Sequence, residues 1–196
     1  MNIVIGLTGP TGSGKSSLSK TAEKFGFKVI DCDKTAREAT KKGTEGLKTL
    51  VLAFGEDILL PDGNLNRKAL AALAFKDKES TDRLNKTILP FIADIVIKQS
   101  QNQDTLLDAP TLFESGINKI CNKTVAVLAD RDIRLKRIIE RDNLTLKEAE
   151  IRINAGKDEK FFKENADYVL YNNGNENAFL ERFSDILKEI TGGNFK

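Results

Sequence analysis

Ile3-Val-Ile-Gly-Leu-Thr-Gly-Pro-Thr-Gly-Ser-Gly-Lys-Ser-Ser17 is the stretch whose reading decides the fold. Gly9 is followed by four residues and then by Gly14-Lys15-Ser16, which completes the phosphate-binding P-loop pattern. The apolar run Ile3 to Leu7 precedes the pattern, and a helix-forming run, Ser16 to Phe25, follows it. Strand, glycine loop and helix is the context the motif needs. Gly9, Gly12 and Gly14 let the backbone turn its N–H groups inward as an anion-binding nest, and the positive end of the following helix strengthens that field. Lys15 is expected to reach the β- and γ-phosphates, and the Ser16 hydroxyl to ligate Mg²⁺. Gly9, Thr11, Gly12, Ser13, Gly14, Lys15, Ser16 and Ser17 are thus candidate contacts of a nucleoside triphosphate. The alternative is a glycine-rich turn that binds nothing. The flanking strand and helix favour the binding loop.

A chain of 196 residues makes one domain with a sizeable core. Hydrophobic residues make up 40% and charged residues 31%, an ordinary globular balance. The net charge of +2 gives no footprint for nucleic acid. The apolar start is short and runs into the loop, so no signal segment is expected, and no run reaches membrane-spanning length. Cys32 and Cys121 are too few for a disulfide scaffold or a metal cluster, which suits reduced thiols in a cytoplasm. The chain contains 0 histidines, so a general base must be a carboxylate or a lysine.

Strand-like apolar runs recur at Ile3–Leu7, Phe27–Ile30, Thr105–Leu107, Thr124–Leu128 and Tyr168–Leu170, with helical patterns between them. This alternation predicts an α/β fold, a parallel sheet flanked by helices. Residues 34–103 read as helical, with apolar spacing over Ala69–Phe75 and Ile88–Ile97 and a turn at Asp62-Gly63-Asn64. So long a crossover can form an acceptor-binding insertion or be a plain helical one. In Ile133-Arg-Leu-Lys-Arg-Ile-Ile-Glu-Arg-Asp142, Arg134, Arg137 and Arg141 share one helical face. A second helix begins at the capping box Thr145-Leu-Lys-Glu148. Residues 138–165 thus form a candidate lid. The last helix, near Asn177–Thr191, carries an apolar stripe for packing on the sheet.

Ligands of open α/β sheets bind at the carboxyl ends of the strands. Asp31 and Asp33 follow the second strand; two apart on an extended chain, they would point the same way. One can take the proton of an acceptor hydroxyl while the other helps position metal or acceptor. Asp33 can instead cap the following helix. With a phosphate loop present, we assign Asp33 as the base. Asp108 ends the third strand, where an acidic residue beside such a loop holds Mg²⁺ directly or through water. Glu114 can face the acceptor or cap a helix. Transfer of a phosphoryl group needs positive charge around its equatorial oxygens. Arg137, central on its face, is the first candidate, with Arg141 beside it; Arg37 and Arg67 can hold anionic groups of the acceptor.

These residues resemble the dephospho-coenzyme A kinase family over nearly the whole chain. The likeness runs from Gly6 to Ser16, through Val29-Ile-Asp-Cys-Asp33 with Arg37, Phe54-Gly55 and Gly63-Asn-Leu-Asn-Arg67. It continues through Asp108-Ala-Pro-Thr-Leu-Phe-Glu114, Arg137, Arg141 and Ala166-Asp-Tyr-Val-Leu-Tyr-Asn-Asn-Gly174. The resemblance implies a P-loop kinase with five parallel strands in the order 2-3-1-4-5. It implies ATP and Mg²⁺, transfer to the ribose 3′-hydroxyl of dephospho-coenzyme A, Asp33 as base, and Asn172 in the loop that contacts the adenine. Acceptor contacts would fall to Asp31, Arg37, Arg67 and Glu114. The implied partners are these small molecules, with no nucleic acid or membrane, for a monomer or small homo-oligomer in the cytoplasm. The chain departs from the family pattern at Leu89, where histidine is usual, at Arg134 and Gly156, where glutamine is usual, and at Phe162, where lysine is expected. The alternatives are a related kinase for a nucleoside monophosphate or other small alcohol, and a nucleotide-binding regulator without catalysis.

Overall fold

The apolar run ahead of the glycine loop becomes the middle strand of the sheet. The computed structural model describes residues 2–193. The strand β1 (Val4–Thr8) is fully enclosed from Ile5 onward, as a strand covered on both faces must be. Around it stand β2 (Lys28–Asp31), β3 (Thr105–Asp108), β4 (Lys123–Leu128) and β5 (Tyr168–Tyr171) in the order β2-β3-β1-β4-β5. All four pairings are parallel. This is the order and orientation implied by the family resemblance. The register sets Leu7 against Asp108 and Val125, and Asp31 against Asp108, so the carboxyl ends of three strands open on one edge.

One sheet face is covered by α1 (Lys15–Lys24) and α9 (Glu176–Thr191). Leu18 and Ala22 of α1 and Phe179, Phe183 and Leu187 of α9 close over Ile5, Leu7, Leu106, Val125 and Val127. The apolar stripe of the last helix thus packs on the sheet as its spacing predicts.

The crossover from β2 to β3 carries α2 (Cys32–Ala39), α3 (Glu45–Phe54), α4 (Arg67–Ala74) and α5 (Lys78–Gln99). The helix α5 does two jobs. Ile92 and Val96 pack with Ile30, Leu107 and Leu112 against the sheet, while Leu84 and Ile88 join Leu50, Ile58, Leu70 and Ala74 in a small separate core. The insertion therefore has apolar packing of its own as well as a seat on the sheet.

After β4 come α6 (Arg131–Asp142), α7 (Leu146–Asn154) and α8 (Glu159–Asn165). A hairpin of α6 and α7 forms around Leu135, Ile138, Ala149 and Ile153. The reciprocal capping box at Thr145 and Glu148 starts α7 where the sequence predicts it. Among the described residues no helix is long and apolar enough to cross a membrane.

The junction after β2 differs from the extended-chain reading. The strand stops at Asp31, whose Oδ1 accepts from Lys34 N at 3.0 Å, and α2 begins at Cys32. Asp31, not Asp33, is the helix cap. Asp33 sits in the first helical turn, so the alternation that aligns residues two apart on a strand does not apply to this pair.

Phe183 is fully enclosed between α9 and the sheet. Phe183→Ala should cost about 3–5 kcal/mol of unfolding free energy, the range for deleting a buried aromatic ring. Urea titration checks this: the midpoint should fall with its slope unchanged, and a change under about 1 kcal/mol would show the site able to collapse.

Candidate functional site

A cavity of about 950 Å³ opens at the carboxyl edge of the sheet. Its walls are the loop from Gly9 to Ser16, Asp108, Pro110, Thr111, Glu114, Arg137, Glu140, Arg141, Arg152, residues 155–157 and Phe162. Five cationic side chains (Lys15, Arg137, Arg141, Arg152, Lys157) face three acidic ones (Asp108, Glu114, Glu140), a balance suited to a polyanion.

The loop is held from behind by its carbonyls. Ser13 O accepts from Asn172 Nδ2 at 2.9 Å and from Arg137 Nη1 at 3.3 Å, and Gly12 O also accepts from Arg137 at 3.3 Å. The other arm of Arg137 donates to Asn172 O at 3.1 Å and Oδ1 at 3.2 Å. Thr11 O accepts from Arg134 Nε at 2.9 Å. These approaches require glycine at two positions. A Cβ on Gly12 (φ 79°) would stand 2.9 Å from Arg134 O, and one on Gly14 (φ 98°) would stand 2.2 Å from Asn172 Nδ2.

Lys15 Nζ lies over the loop, donating to Gly9 O at 2.7 Å. Burial pulls its ammonium below the ordinary lysine range, opposed first by the charge of Asp108 and then by that of Asp33. Asp108 accepts from Ser19 Oγ at 3.2 Å. Burial pushes its carboxyl above the ordinary range; Lys15 and Ser19 counteract this, and Asp31 and Asp33 add to it. Ser16 and Asp108 both present oxygen to the cavity, the hard ligands Mg²⁺ prefers. Among the described residues no group of three or more acidic, histidine or cysteine side chains is poised to hold a metal. A sparse oxygen set suits a Mg²⁺ ion that takes its other ligands from substrate phosphates and water.

The sequence candidates divide into four sets. The loop residues from Gly9 to Ser16, Asp108, Glu114, Arg137 and Arg141 meet in the one cavity. Asp33 is exposed outside its walls, but its charge acts on both Lys15 and Asp108. Arg37 belongs to α2 and Arg67 begins α4: Arg67 Nη2 donates to Thr40 Oγ1 at 3.1 Å, and burial, then the neighbouring charge of Arg37, lowers its pKa.

Three other candidates are engaged with the protein. Asp31 caps α2 and lies 3.5 Å from Lys34 Nζ. Ser17 Oγ donates to Glu176 at 3.3 Å, tying α1 to α9 away from the cavity. Asn172 braces the loop with its side-chain amide. Arg141 lines the cavity while gripping Asp142 with two bonds of 2.8 Å, and Arg152 shares that carboxylate.

Sequence reading missed the wall formed by Glu140, Arg152 and Lys157, because the angle of the α6–α7 hairpin brings them in and no motif marks them. Of the family departures, Phe162 is 2% exposed and packs edge-on to Phe161 at 5.4 Å, while Gly156 forms part of the wall.

The family model for dephospho-CoA kinase matches residues 3–178, from the start of β1 into α9. The chain belongs to the dephospho-CoA kinase family. It is 38% identical over 198 residues to the dephospho-CoA kinase of Listeria monocytogenes, covering 93% of this chain and 98% of the relative. It is 39% identical over 174 residues to that of Pseudoalteromonas translucida, covering 87% and 83%. Among solved structures, a Thermus thermophilus protein superposes with a TM-score of 0.74 at 31% identity, covering 96% of this chain and 97% of that one. The dephospho-CoA kinase of Campylobacter jejuni gives 0.64 at 26% identity, covering 99% and 100%. A shikimate kinase of Bacteroides thetaiotaomicron, at 0.53 and 17% identity over 97% and 98% of the two chains, shares the fold alone.

The raised pKa of Asp108 makes a prediction about stability. A carboxyl whose folded pKa lies above its unfolded value of about 3.9 costs nothing below that value. The cost grows as pH rises from the unfolded pKa to the folded one and levels off above it. Asp108→Asn should therefore raise the melting temperature of the ligand-free protein at pH 7, with the gain vanishing below about pH 4. It should also lower kcat/KM with Mg·ATP by roughly 10- to 100-fold, as for loss of a metal-orienting group. A lower melting temperature at pH 7 would show that the bond from Ser19 and the attraction of Lys15 outweigh desolvation.

Proposed function

We propose that this chain is a dephospho-CoA kinase, which transfers the γ-phosphoryl group of ATP to the ribose 3′-hydroxyl of dephospho-CoA, releasing coenzyme A and ADP. The observation that carries this reading is the union of a braced phosphate loop and the insertion-bearing crossover at one sheet edge, in a chain of this family.

The amides of the loop and of the first turn of α1 bind the phosphates, with Lys15 reaching the β- and γ-groups. Mg²⁺, held by Ser16 and, directly or through water, by Asp108, supplies charge neutralisation to the triphosphate when bound. Asp33 takes the proton of the acceptor hydroxyl. That oxygen forms a bond to the γ-phosphorus while the bond from this phosphorus to the β,γ-bridging oxygen breaks, and ADP leaves with the electron pair. Arg137, whose terminal nitrogens hold Gly12 O, Ser13 O and Asn172, lines the cavity and adds its positive charge to the field on the moving group. Arg141 adds to it once phosphate competes with Asp142. Arg37 and Arg67, two close guanidinium groups, suit the diphosphate of the acceptor. Residues 138–165, from within α6 through α7 and α8, act as the lid that excludes water, since an open site would hydrolyse ATP.

The partners are small molecules, with neither nucleic acid nor membrane, for a monomer or small homo-oligomer. Two free cysteines go with a cytoplasmic location.

The direct test is ADP release from Mg·ATP with dephospho-CoA, AMP, CMP or pantothenate offered singly, followed by mass spectrometry of the product. Turnover with dephospho-CoA alone, giving coenzyme A, is expected; turnover only with another acceptor would overturn the reading. Asp33→Asn should lower kcat about 10²–10⁴-fold while leaving ATP binding in place. Near-full kcat in that variant would remove Asp33 as the base.

A further inference from the structure

Five cations line the cavity, and four of them are engaged with oxygen atoms of the protein. Lys15 donates to Gly9 O, Arg137 to the carbonyls of Gly12 and Ser13, and Arg141 and Arg152 to the carboxylate of Asp142. Lys157 is different. Among the described residues its ammonium pairs with no carboxylate or carbonyl; it stands over the ring of Phe161, 5.1 Å from the centroid. An ammonium resting on an aromatic face at an exposed position is held more weakly than one paired with an ionised oxygen. A phosphate oxygen can therefore take it from the ring.

The ring beneath Lys157 is fixed. Phe161 meets Phe113 edge-on at 6.0 Å and Phe162 edge-on at 5.4 Å. Phe162 is buried with Ala126 and Leu128 of β4, which anchors this platform to the sheet. Phe113 belongs to the segment that leaves β3 at Asp108 and lines the cavity through Pro110 and Thr111. The platform thus ties Lys157 to the Asp108 side of the cavity. Asp158, the adjacent carboxylate in the chain, accepts from Phe161 N at 2.8 Å and caps α8, so it is occupied elsewhere.

A departure from the family pattern points the same way. Residue 162 lines the cavity, so the lysine usual there would add a cation to this wall. Here Phe162 is 2% exposed and its ring serves the core. Lys157, on the same wall, returns a positive charge to it.

We infer that Lys157 is a further phosphate-binding residue, its ammonium leaving the ring of Phe161 to pair with an oxygen of the γ-phosphoryl group of ATP. The inference rests on the proposed activity and deepens it. The glycine loop holds the phosphates that stay with ADP, and Lys157 meets the group that moves.

The test compares the wild type, Lys157→Met and Lys157→Arg at saturating dephospho-CoA. It reads kcat and KM for Mg·ATP and the inhibition constant of ADP. Lys157→Met keeps an unbranched chain over the ring without the charge. It should lower kcat/KM for Mg·ATP about 10- to 100-fold, the range for a lost hydrogen bond to a charged group. The inhibition constant of ADP, which lacks the γ group, should be unchanged. Lys157→Arg keeps the charge, the ring contact and the ability to pair with phosphate, so it should retain most of the wild-type value. Lys157 is exposed, so the three proteins should share one melting temperature. An unchanged kcat/KM in Lys157→Met, an equal weakening of ADP, or an equal loss in Lys157→Arg would overturn the inference. A wild type that turns over no dephospho-CoA would overturn the proposed activity instead, and the contrast between ATP and ADP would then be read from their dissociation constants.

Discussion

The structure depends on holding a short loop so that its N–H groups face inward while its carbonyls are satisfied from outside. Arg137 does most of this. One guanidinium joins Gly12 O and Ser13 O of the loop to both oxygens of Asn172, just beyond β5. Asn172 returns a bond to Ser13 O, and Arg134 fastens Thr11 O. A loop whose carbonyls are thus occupied can offer its amides to an anion without reorganising, which is the economy of a preorganised electrostatic site.

The sheet is arranged to deliver charge to the loop. Parallel pairing in register brings Asp31 and Asp108 side by side, with Asp33 two residues further on in the first turn of α2. Burial first, and then the nearby charges of Asp31 and Asp33, raise the cost of ionising Asp108, and Lys15 and the bond from Ser19 only partly offset it. The cations on the opposing helices are themselves tethered: Arg141 and Arg152 share Asp142, which keeps both on the cavity wall. A polyphosphate must compete with that carboxylate to engage them.

The insertion is coupled to this machinery by α5. Its Ile92 and Val96 seat it on the sheet, its Asn85 holds the backbone of Glu114, and its Leu84 and Ile88 belong to the insertion's own core. A displacement of the insertion would therefore pull on the segment after β3, whose Pro110, Thr111 and Glu114 line the same cavity as the glycine loop. Of the departures from the family pattern, Arg134 and Phe162 have structural work: one clamps the loop, and the other fills a wall beneath β4.

By itself the sequence determined the glycine loop, the five strands, the apolar stripe of α9 and the capping box of α7. Each of these is written in neighbouring residues, whose spacing selects a period or a local hydrogen bond. The loop, Asp108 and the arginine face of α6 were legible for the same reason. Tertiary structure alone decided the rest. Whether Asp31 or Asp33 caps α2 turned on where the strand stops. The bracing role of Asn172 and the placing of Arg152 and Lys157 in the cavity wall depended on segments far apart in the chain. A side chain's role in a site is set by what packs against it, and pairings across 35 or 159 residues, as from Asn172 to Arg137 and to Ser13, leave no local period to read.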